Sequence, residues 1–353
     1  MELLLTDEQR QLQDSVSRMF AQAGGVKRTR SLRGKAGGFD REIHARMGAE
    51  GLFGILVPAE LGGLELGLTE VALVMIEVGR ALAPEPIAET IVAAHVLTQS
   101  GDAALREVLF EQVVGGQRIV VPAFADRRVG ARPAGAVIGD RLDGVLSQAP
   151  HAAVADGFLI ETGARATAAL CHVGSDSAGL GIASVAMVDG RCYGRLRLDG
   201  VVARRVADNA GVEAAYDLAL FAAAAELVGV MSAAHDMTVE YLKTRQQFGK
   251  LIGSFQALQH RAADDLARLV SARSFVFQVA GQGLPLSSAM ASALKVHCGD
   301  KALEVTKSAI QLHGAIGFTD EHDIGLYLKR AMWLSTWLGN AAVHRTRYMA
   351  MQV

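Results

Sequence analysis

A short glycine-containing stretch near the C-terminus has residue types and spacing suited to holding an anion. It reads Ile310-Gln311-Leu312-His313-Gly314-Ala315-Ile316-Gly317-Phe318-Thr319 and lies between two segments whose apolar residues recur at helical spacing. Glycine allows close backbone approach and a positive φ, and backbone N–H groups at a helix N-terminus attract phosphates. Taken alone, the pattern fits a plain helix–turn–helix equally well. We expect Thr319-Asp320-Glu321 to cap the helix that follows.

Two further stretches have spacing of the same specificity. The first is Thr244-Arg245-Gln246-Gln247-Phe248-Gly249-Lys250, followed by Phe255-Gln256. Its arginine is suited to phosphate, because a guanidinium pairs with phosphate oxygens through a planar fork. The second, near the N-terminus, is Gly51-Leu52-Phe53-Gly54-Ile55-Leu56-Val57-Pro58, followed by Leu61-Gly62-Gly63-Leu64. With the glycine loop, these ordered elements span most of the chain.

Together the three elements resemble those of the acyl-CoA dehydrogenases, flavoenzymes that desaturate acyl-CoA thioesters at the α and β carbons. The family loop Gln-x-x-Gly-Gly-x-Gly-x-Thr corresponds to residues 311–319, with Ala315 at its second glycine. The family element Arg-x-x-Phe-Gly-Lys corresponds to residues 245–250, and the segment Gly-Leu-x-Gly…Pro-x-x-x-Gly-Gly to residues 51–63. The resemblance implies FAD as cofactor and an acyl-CoA as substrate.

The resemblance also implies which residues hold the cofactor. In the family, the matching set reaches across a dimer interface to the adenine and pyrophosphate of the FAD in the neighbouring subunit. The cofactor-binding residues implied here are Arg245, Phe248, Gln256, Gln311, Gly314 and Gly317.

The catalytic base of the family reaction is missing at both of its usual positions. A carboxylate must lie within hydrogen-bond reach of the α carbon to remove its proton. Counting forward from the glycine loop, the family turn Tyr-Glu-Gly-Thr becomes Trp337-Leu338-Gly339-Asn340, so Leu338 stands at one base position. Counting back from Arg245, Ala219 stands at the other. Residues 331–345 contain no Asp or Glu, so a one-residue shift does not restore a base.

The segments that would contact the flavin ring have changed as well. Gln148-Ala149-Pro150 stands where the family has Trp-Ile-Thr, and proline has neither an N–H nor a hydroxyl to offer flavin N5. From Val121 to Arg128 the family's Gly-Ser-Asp is absent. The resemblance thus implies a chain that keeps the half of a flavin site serving a neighbour and lacks the half serving itself.

Three functional hypotheses are compatible with this division. The first is the base-less subunit of a heteromeric acyl-CoA dehydrogenase, similar to the short subunits of actinobacterial α2β2 enzymes acting on bulky sterol side-chain CoA esters. A homologous partner subunit would then supply the base, and an electron-transfer flavoprotein would accept the electrons. The second is a self-sufficient dehydrogenase with a displaced base, for which Glu213, Asp217 and Glu226 are the candidates. The third is a non-enzymatic scaffold without FAD.

Composition excludes several other classes. The formal net charge of −2 argues against a nucleic-acid partner. The most apolar run, Leu218 to Ala225, is too short to span a bilayer and is interrupted by Glu226. The three cysteines are scattered, which argues against a disulfide framework or a cysteine-rich metal site. We expect a cytoplasmic protein with no membrane, nucleic-acid or metal partner.

Several single residues and clusters receive structural interpretations. The basic cluster from Lys27 to Lys35 is predicted to be a solvated loop within the loop region 21–40. His313 is predicted to support the backbone of the glycine loop, and His322 and His344 to lie at the surface. Trp333 and Trp337, one helical turn apart, are predicted to pack in the core or to line a remnant of the substrate pocket.

Periodicity divides the chain into helical, β-like and helical parts. The first part covers residues 1–117, the second 118–208 and the third 209–353, with four long helices predicted near 213–244, 255–281, 285–312 and 321–350. The resemblance implies the corresponding multidomain α+β fold: an N-terminal helical domain, a central antiparallel β domain and a C-terminal four-helix bundle. Strands are predicted at 118–121, 135–138, 155–160, 182–188 and 195–198.

Overall fold

The computed structural model describes residues 5–35, 37–127, 135–138, 140–164 and 167–352. Six helices come first. They are α1 Asp7–Gln22, α2 Gly25–Leu32, α3 Arg41–Ala49, α4 Leu68–Ala81, α5 Ile87–Thr98 and α6 Ala103–Val114. Helix α1 begins with a capping box, in which the Thr6 side chain accepts from the backbone N–H of Gln9 and the Gln9 side chain accepts from that of Thr6.

Helix α2 corrects the prediction of a solvated loop at the basic cluster. Arg28 makes a bidentate ion pair with the buried Glu85, at 2.6 and 3.0 Å. Arg30 pairs with Asp323, and Arg33 pairs with Asp320. The three arginines of this stretch are therefore matched by carboxylates from distant parts of the sequence.

The middle of the chain forms two four-stranded sheets. Their strands are β1 Val120–Ala123, β2 Gly135–Ile138, β3 Arg141–Pro150, β4 Gly157–Thr162, β5 Ala169–Gly174, β6 Leu180–Ala186, β7 Cys192–Val202 and β8 Arg204–Ala207. One sheet has the order β1-β4-β5-β8 and the other β2-β3-β7-β6. The sequence predicted five of these strands and missed β3, β5 and β8. All strand pairs are antiparallel except β1–β4, which is parallel and departs from the antiparallel expectation.

A helical bundle follows. It contains α7 Asn209–Thr244, α8 Gln256–Ala280, α9 Ser288–His313, α10 Ile324–Thr336 and α11 Ala341–Met349, with a short hairpin of β9 Gln246–Gln247 and β10 Lys250–Leu251 after α7. The single last helix predicted over 321–350 is thus two helices. Asn340 lies between the two helices and caps α11, since its side-chain oxygen accepts from the N–H of Val343.

Helix α7 is the centre of the core. By length and composition it is the one described helix that could cross a membrane, but 94% of its most apolar window is buried inside the protein. Its crossing with α4 depends on two glycines. A Cβ on Gly79 would lie 2.1 Å from the carbonyl oxygen of Glu226, and one on Gly229 would lie 1.9 Å from that of Ile76. The two helix backbones therefore touch, which no larger residue permits.

A buried charged cluster joins the three parts of the chain. Arg330 of α10 lies 2.6 Å from Glu226 of α7 and 3.0 Å from Asp189, in the turn before β7. Arg191 also pairs with Asp189, at 2.8 Å. Glu89 of α5 completes the cluster, and burial raises the pKa of this carboxyl to about 7. Glu226, a displaced-base candidate, is thus held by Arg330 in an ion pair within the bundle.

Candidate functional site

The six implied cofactor-binding residues lie at one end of the bundle, which we call the outer face (residues 245–256 and 311–319). Arg245 ends α7, Gln256 begins α8, and Gln311 lies in the last turn of α9. These three helix ends are held together by a small apolar cluster of Leu242, Ile252 and Leu312. The structure thus collects residues from two distant stretches onto one surface.

The hairpin on the outer face presents an aromatic ring to solvent. Gln247 pairs with Lys250, so Phe248 and Gly249 form a two-residue turn with φ of 55° and 77°. Both positions need positive φ, which is unfavourable for a bulky side chain. The Phe248 side chain is nevertheless 91% exposed. An aromatic residue held in an unfavourable backbone conformation and left uncovered is typical of a contact surface.

The glycine loop is shaped by two glycines in different ways. Gly314 has φ of 66°, where an L side chain would be strained. Gly317 is buried, and a Cβ there would lie 2.6 Å from the carbonyl oxygen of Ile310. Neither residue can be replaced without moving the backbone.

The His313 side chain bonds to the backbone of α9 just before this loop. His313 Nδ1 donates to the carbonyl of Ala309 at 2.8 Å, and its ring stacks on Tyr241 with centroids 4.5 Å apart. This is the backbone-supporting role that the sequence predicted. The cap predicted at 319–321 is wrong: α10 begins at Ile324, whose N–H donates to His322 Nδ1 at 3.2 Å.

The turn at the first base position, which we call the inner turn (residues 335–340), is clamped by buried donors. Leu338 has φ of 61°, and its carbonyl accepts from the Tyr216 hydroxyl and from His344 Nε2. Lys295 donates to the carbonyls of Ser335 and Gly339, each at 3.3 Å.

Two of these hydrogen-bond donors have pKa values far below their ordinary ones. Burial lowers the pKa of Lys295 to about 7 and that of His344 to about 3. His344 is completely buried, which corrects its predicted surface position, and the uncharged imidazole is what its site requires.

The second base position offers no proton acceptor either. Ala219 is fully buried within α7. Of the displaced-base candidates, Asp217 lies 2.6 Å from Arg347, and Glu213 lies 2.7 Å from Arg127 and 2.9 Å from Arg347. Although burial works against it, these two arginines keep the pKa of Glu213 below its ordinary value. Glu226 pairs with Arg330 at 2.6 Å, so all three candidates are engaged in ion pairs.

A small cavity of about 180 Å³ separates the inner turn from the end of β1. It is lined by Phe124, Ala125, Asp126, Arg127, Gln148, Thr336, Trp337, Leu338, Gly339, Asn340 and Val343. Cavities that hold drug-sized ligands usually measure about 300–1,000 Å³, so this cavity by itself is small for such a ligand. Its wall is partly built by Arg127, whose guanidinium lies 4.6 Å from the Tyr216 ring centroid.

Asp126 is a residue that the sequence interpretation missed. It lines the same cavity as Leu338, and it makes further interactions of its own. The signal available in the sequence was its position, five residues after Val121, in the segment that corresponds to the family's flavin loop. Arg128, which ends that segment, lies outside the described residues.

A second cavity, of about 460 Å³, adjoins the first at Gln148, Thr336 and Trp337. Trp333 and Trp337 are stacked with centroids 5.2 Å apart. Both rings are nearly buried, as the core interpretation predicted, and both line this cavity.

Strand β3 borders both cavities through Gln148, and its next two residues fit a flavin ring poorly. Ala149 and Pro150 lie in β3, paired with Gly194 and Tyr193 of β7, and Pro150 has no N–H to direct at a ring nitrogen. The outer face, in contrast, offers exposed side chains of the kinds that bind a nucleotide. Among the described residues, no group of three or more His, Cys, Asp and Glu side chains is placed to hold a metal.

Comparison with known proteins defines the class. The N-terminal domain of acyl-CoA dehydrogenases matches residues 6–117, and the C-terminal domain matches residues 215–352. The chain therefore belongs to the acyl-CoA dehydrogenase family, whose members are oxidoreductases that bind FAD.

Individual relatives are similar over nearly the whole chain. Acyl-CoA dehydrogenase FadE27 of Mycobacterium tuberculosis is 29% identical over 323 residues, which are 86% of each chain. A variant of the steroid ACAD Tcur3481-Tcur3483 is 29% identical with a TM-score of 0.89, covering 98% of this chain and 97% of that one. The ChsE4-ChsE5 complex of Mycobacterium tuberculosis is 26% identical with a TM-score of 0.86 and the same coverage.

Proposed function

We propose that this chain is the base-less subunit of a heteromeric acyl-CoA dehydrogenase. A homologous partner subunit supplies the carboxylate, the ring contacts and the acyl-CoA pocket. The outer face of this chain completes the partner's FAD site through Arg245, Phe248, Gln256, Gln311, Gly314 and Gly317. The complex is an α2β2 heterotetramer in the cytoplasm, and an electron-transfer flavoprotein takes up the electrons.

The observation that carries this proposal is the contrast between the two sites. Leu338 and Ala219 stand at the base positions, and the nearby Glu213, Asp217 and Glu226 are all committed to arginines. The outer face keeps its arginine and its aromatic ring exposed.

The relatives add support for a partner and a substrate class. The ChsE4-ChsE5 structure is a complex, and Tcur3481-Tcur3483 is a steroid ACAD named by two components. By analogy, we propose bulky sterol side-chain CoA esters as substrates of the complex that contains this chain.

FAD supplies the hydride acceptor when it is bound. The role of this chain's own residues is to bind and orient the nucleotide end: Arg245 offers a planar fork for phosphate oxygens, and Phe248 offers an aromatic surface. The inner turn has no proton acceptor on its side chains from 335 to 340, so no deprotonation step is assigned to it.

The test is purification of the chain alone and, with an affinity tag, from its native source. We expect the isolated chain to be colourless and inactive on a panel of acyl-CoAs. We expect the tagged complex to contain a homologous subunit, a visible flavin spectrum and acyl-CoA turnover. Stoichiometric FAD together with turnover from the isolated chain would exclude the proposal, and a complex without flavin would favour the scaffold hypothesis.

The alternative of a self-sufficient enzyme is favoured by one observation, the position of Asp126 beside Leu338 in the smaller cavity. Replacing Asp126 with Asn separates the two functions. If the isolated chain is active and Asp126→Asn removes this activity at unchanged melting temperature, Asp126 is the displaced base. If the complex keeps its turnover with Asp126→Asn, the base belongs to the partner.

A further inference from the structure

Arg30 of helix α2, and Arg33 at its C-terminal cap, reach the residues that follow the glycine loop. Arg30 Nε donates to Asp323 Oδ1 at 2.8 Å, and Arg30 Nη1 donates to the carbonyl of Asp320. Arg33 Nη1 donates to Asp320 Oδ1 at 2.9 Å. Asp320 directly follows Thr319, the last residue of the loop, so these bonds act where the loop leaves the outer face.

The helix that carries these arginines is itself fixed. The bidentate pair between Arg28 and the buried Glu85 ties α2 to the connection between α4 and α5. The Thr29 hydroxyl donates to the carbonyl of Leu82 at 3.0 Å, also in a buried position. Helix α2 is therefore a rigid support from which Arg30 and Arg33 extend.

The loop has few other constraints at this end. Its last residue, Thr319, bonds only locally, from its N–H and its hydroxyl to the carbonyl of Ile316. Ile316 and Phe318 are exposed. Besides the arginines, Lys329 Nζ lies 3.5 Å from Asp320 Oδ1. Hydrogen bonding to Arg33 is the main reason why the pKa of Asp320 lies below its ordinary value.

We propose that Arg30 and Arg33 are positioning residues that set the conformation of the loop 314–319 through Asp320 and Asp323, and thereby the affinity of the complex for FAD. This inference rests on the proposed function for its consequence on FAD. The N-terminal helical part, far in sequence from the loop, thus takes part in the site that serves the partner. Because neither arginine contacts a reacting atom in this arrangement, the chemical step is unaffected.

The first measurement uses the isolated chain and needs no partner. We compare amide hydrogen exchange over residues 314–319 in the wild type, in Arg30→Gln/Arg33→Gln and in Arg10→Gln. Arg10 is the matched control, since it is an exposed arginine paired locally with Asp7 at 2.7 Å. We expect exchange to rise about fivefold in the double variant, the upper end of what exposed ion pairs contribute, and not to rise in the control. Unchanged exchange in the double variant would overturn the inference.

The second measurement uses the complex and titrates FAD after its removal. We expect the double variant to raise the Kd for FAD about fivefold and to leave kcat at saturating FAD unchanged. Arg30→Lys keeps the charge but cannot serve both aspartates, so we expect an intermediate Kd. A lowered kcat with an unchanged Kd would overturn the positioning role. If even the wild-type complex binds no FAD, the proposed function fails, and the exchange measurement still decides whether the arginines order the loop.

Discussion

The outer face and the inner turn are built on the same bundle but are stabilised in opposite ways. The inner turn has its carbonyl oxygens matched by buried donors from α7, α9 and α11, namely Tyr216, Lys295 and His344. On the outer face, Phe248 is 91% exposed, and no carboxylate among the described residues forms an ion pair with Arg245. The inner turn is completed within the chain, whereas the outer face has groups available for a second molecule.

This contrast predicts that mutations in the two regions have different consequences. Buried hydrogen-bond donors that satisfy a turn contribute to stability, while an exposed aromatic ring in a strained hairpin contributes little to it. We therefore expect mutations in the inner turn to change the stability of the isolated chain. Mutations on the outer face should instead change binding in the complex.

The largest expected effect is that of Arg245→Ala on cofactor binding. Charge-assisted hydrogen bonds are each worth about 1.5–3 kcal/mol, so we expect the Kd of the complex for FAD to rise about 10- to 100-fold. The melting temperature of the isolated chain should not change, because Arg245 is exposed. Lys243→Ala is the control, since this exposed lysine lies near the same helix end and pairs with Glu240 at 2.9 Å. Equal effects of both substitutions would show that general surface charge, not Arg245, holds FAD.

The pH dependence of stability tests Lys295. Its pKa is about 7 in the folded chain because of burial, and about 10.4 in an unfolded chain. Between these values the unfolded state binds more protons, so stability must rise with pH. We expect the wild type to gain about 2 kcal/mol from pH 7 to pH 9 relative to Lys295→Met in urea unfolding. Parallel pH profiles for the two proteins would mean that the lysine is solvated.

Removing one donor from the inner turn should have a smaller effect. Tyr216→Phe removes the hydroxyl that donates to the Leu338 carbonyl, but His344 still donates to the same oxygen at 3.0 Å. We expect a loss of about 1 kcal/mol in the free energy of unfolding. Trp333 and Trp337 are the two tryptophans of the chain, so tryptophan fluorescence reports on this region directly. An unchanged stability and spectrum would indicate that the hydroxyl does not clamp the turn.

The smallest expected effect is that of Phe248→Gly on the stability of the isolated chain. Unlike substitutions in the inner turn, it should not destabilise the chain. Phe248 has φ of 55° at an exposed hairpin position, where glycine is not strained. We expect Phe248→Gly to leave the isolated chain unchanged or to stabilise it by up to about 1 kcal/mol, while FAD binding by the complex weakens. Marked destabilisation of the isolated chain would place Phe248 in its core, contrary to its exposure.

Much of the fold follows from local patterns in the sequence. The helical periodicity predicted α7, α8 and α9 closely, and it predicted that the first third is helical. The strands were predicted less well. Strand β3 contains Gly144, Ser147 and Gln148, and its pairing with β7 is irregular at two places, so its sequence has no regular alternation. The domain limits at residues 118 and 209 stay a prediction.

The candidate site was predicted unevenly for a related reason. Short motifs around Arg245 and Gln311 are continuous in sequence and could be recognised. Asp126 could not be ranked as a candidate, because its proximity to Leu338 arises only when β1 and the inner turn meet. His344 was misplaced for the same reason: nothing in its neighbours along α11 shows that Leu338 and α7 cover it.

The sequence by itself determined the family, the missing carboxylates at residues 219 and 338, and the residues suited to a nucleotide, because these depend on residue type and short spacing. Only the tertiary structure decided which charged side chains are already paired. It showed that Glu213, Asp217 and Glu226 are bound to arginines and that Arg30 and Arg33 pair with Asp323 and Asp320. These ion pairs join residues that are 86 to 293 positions apart, and the Coulomb energy depends on distance in space rather than along the chain.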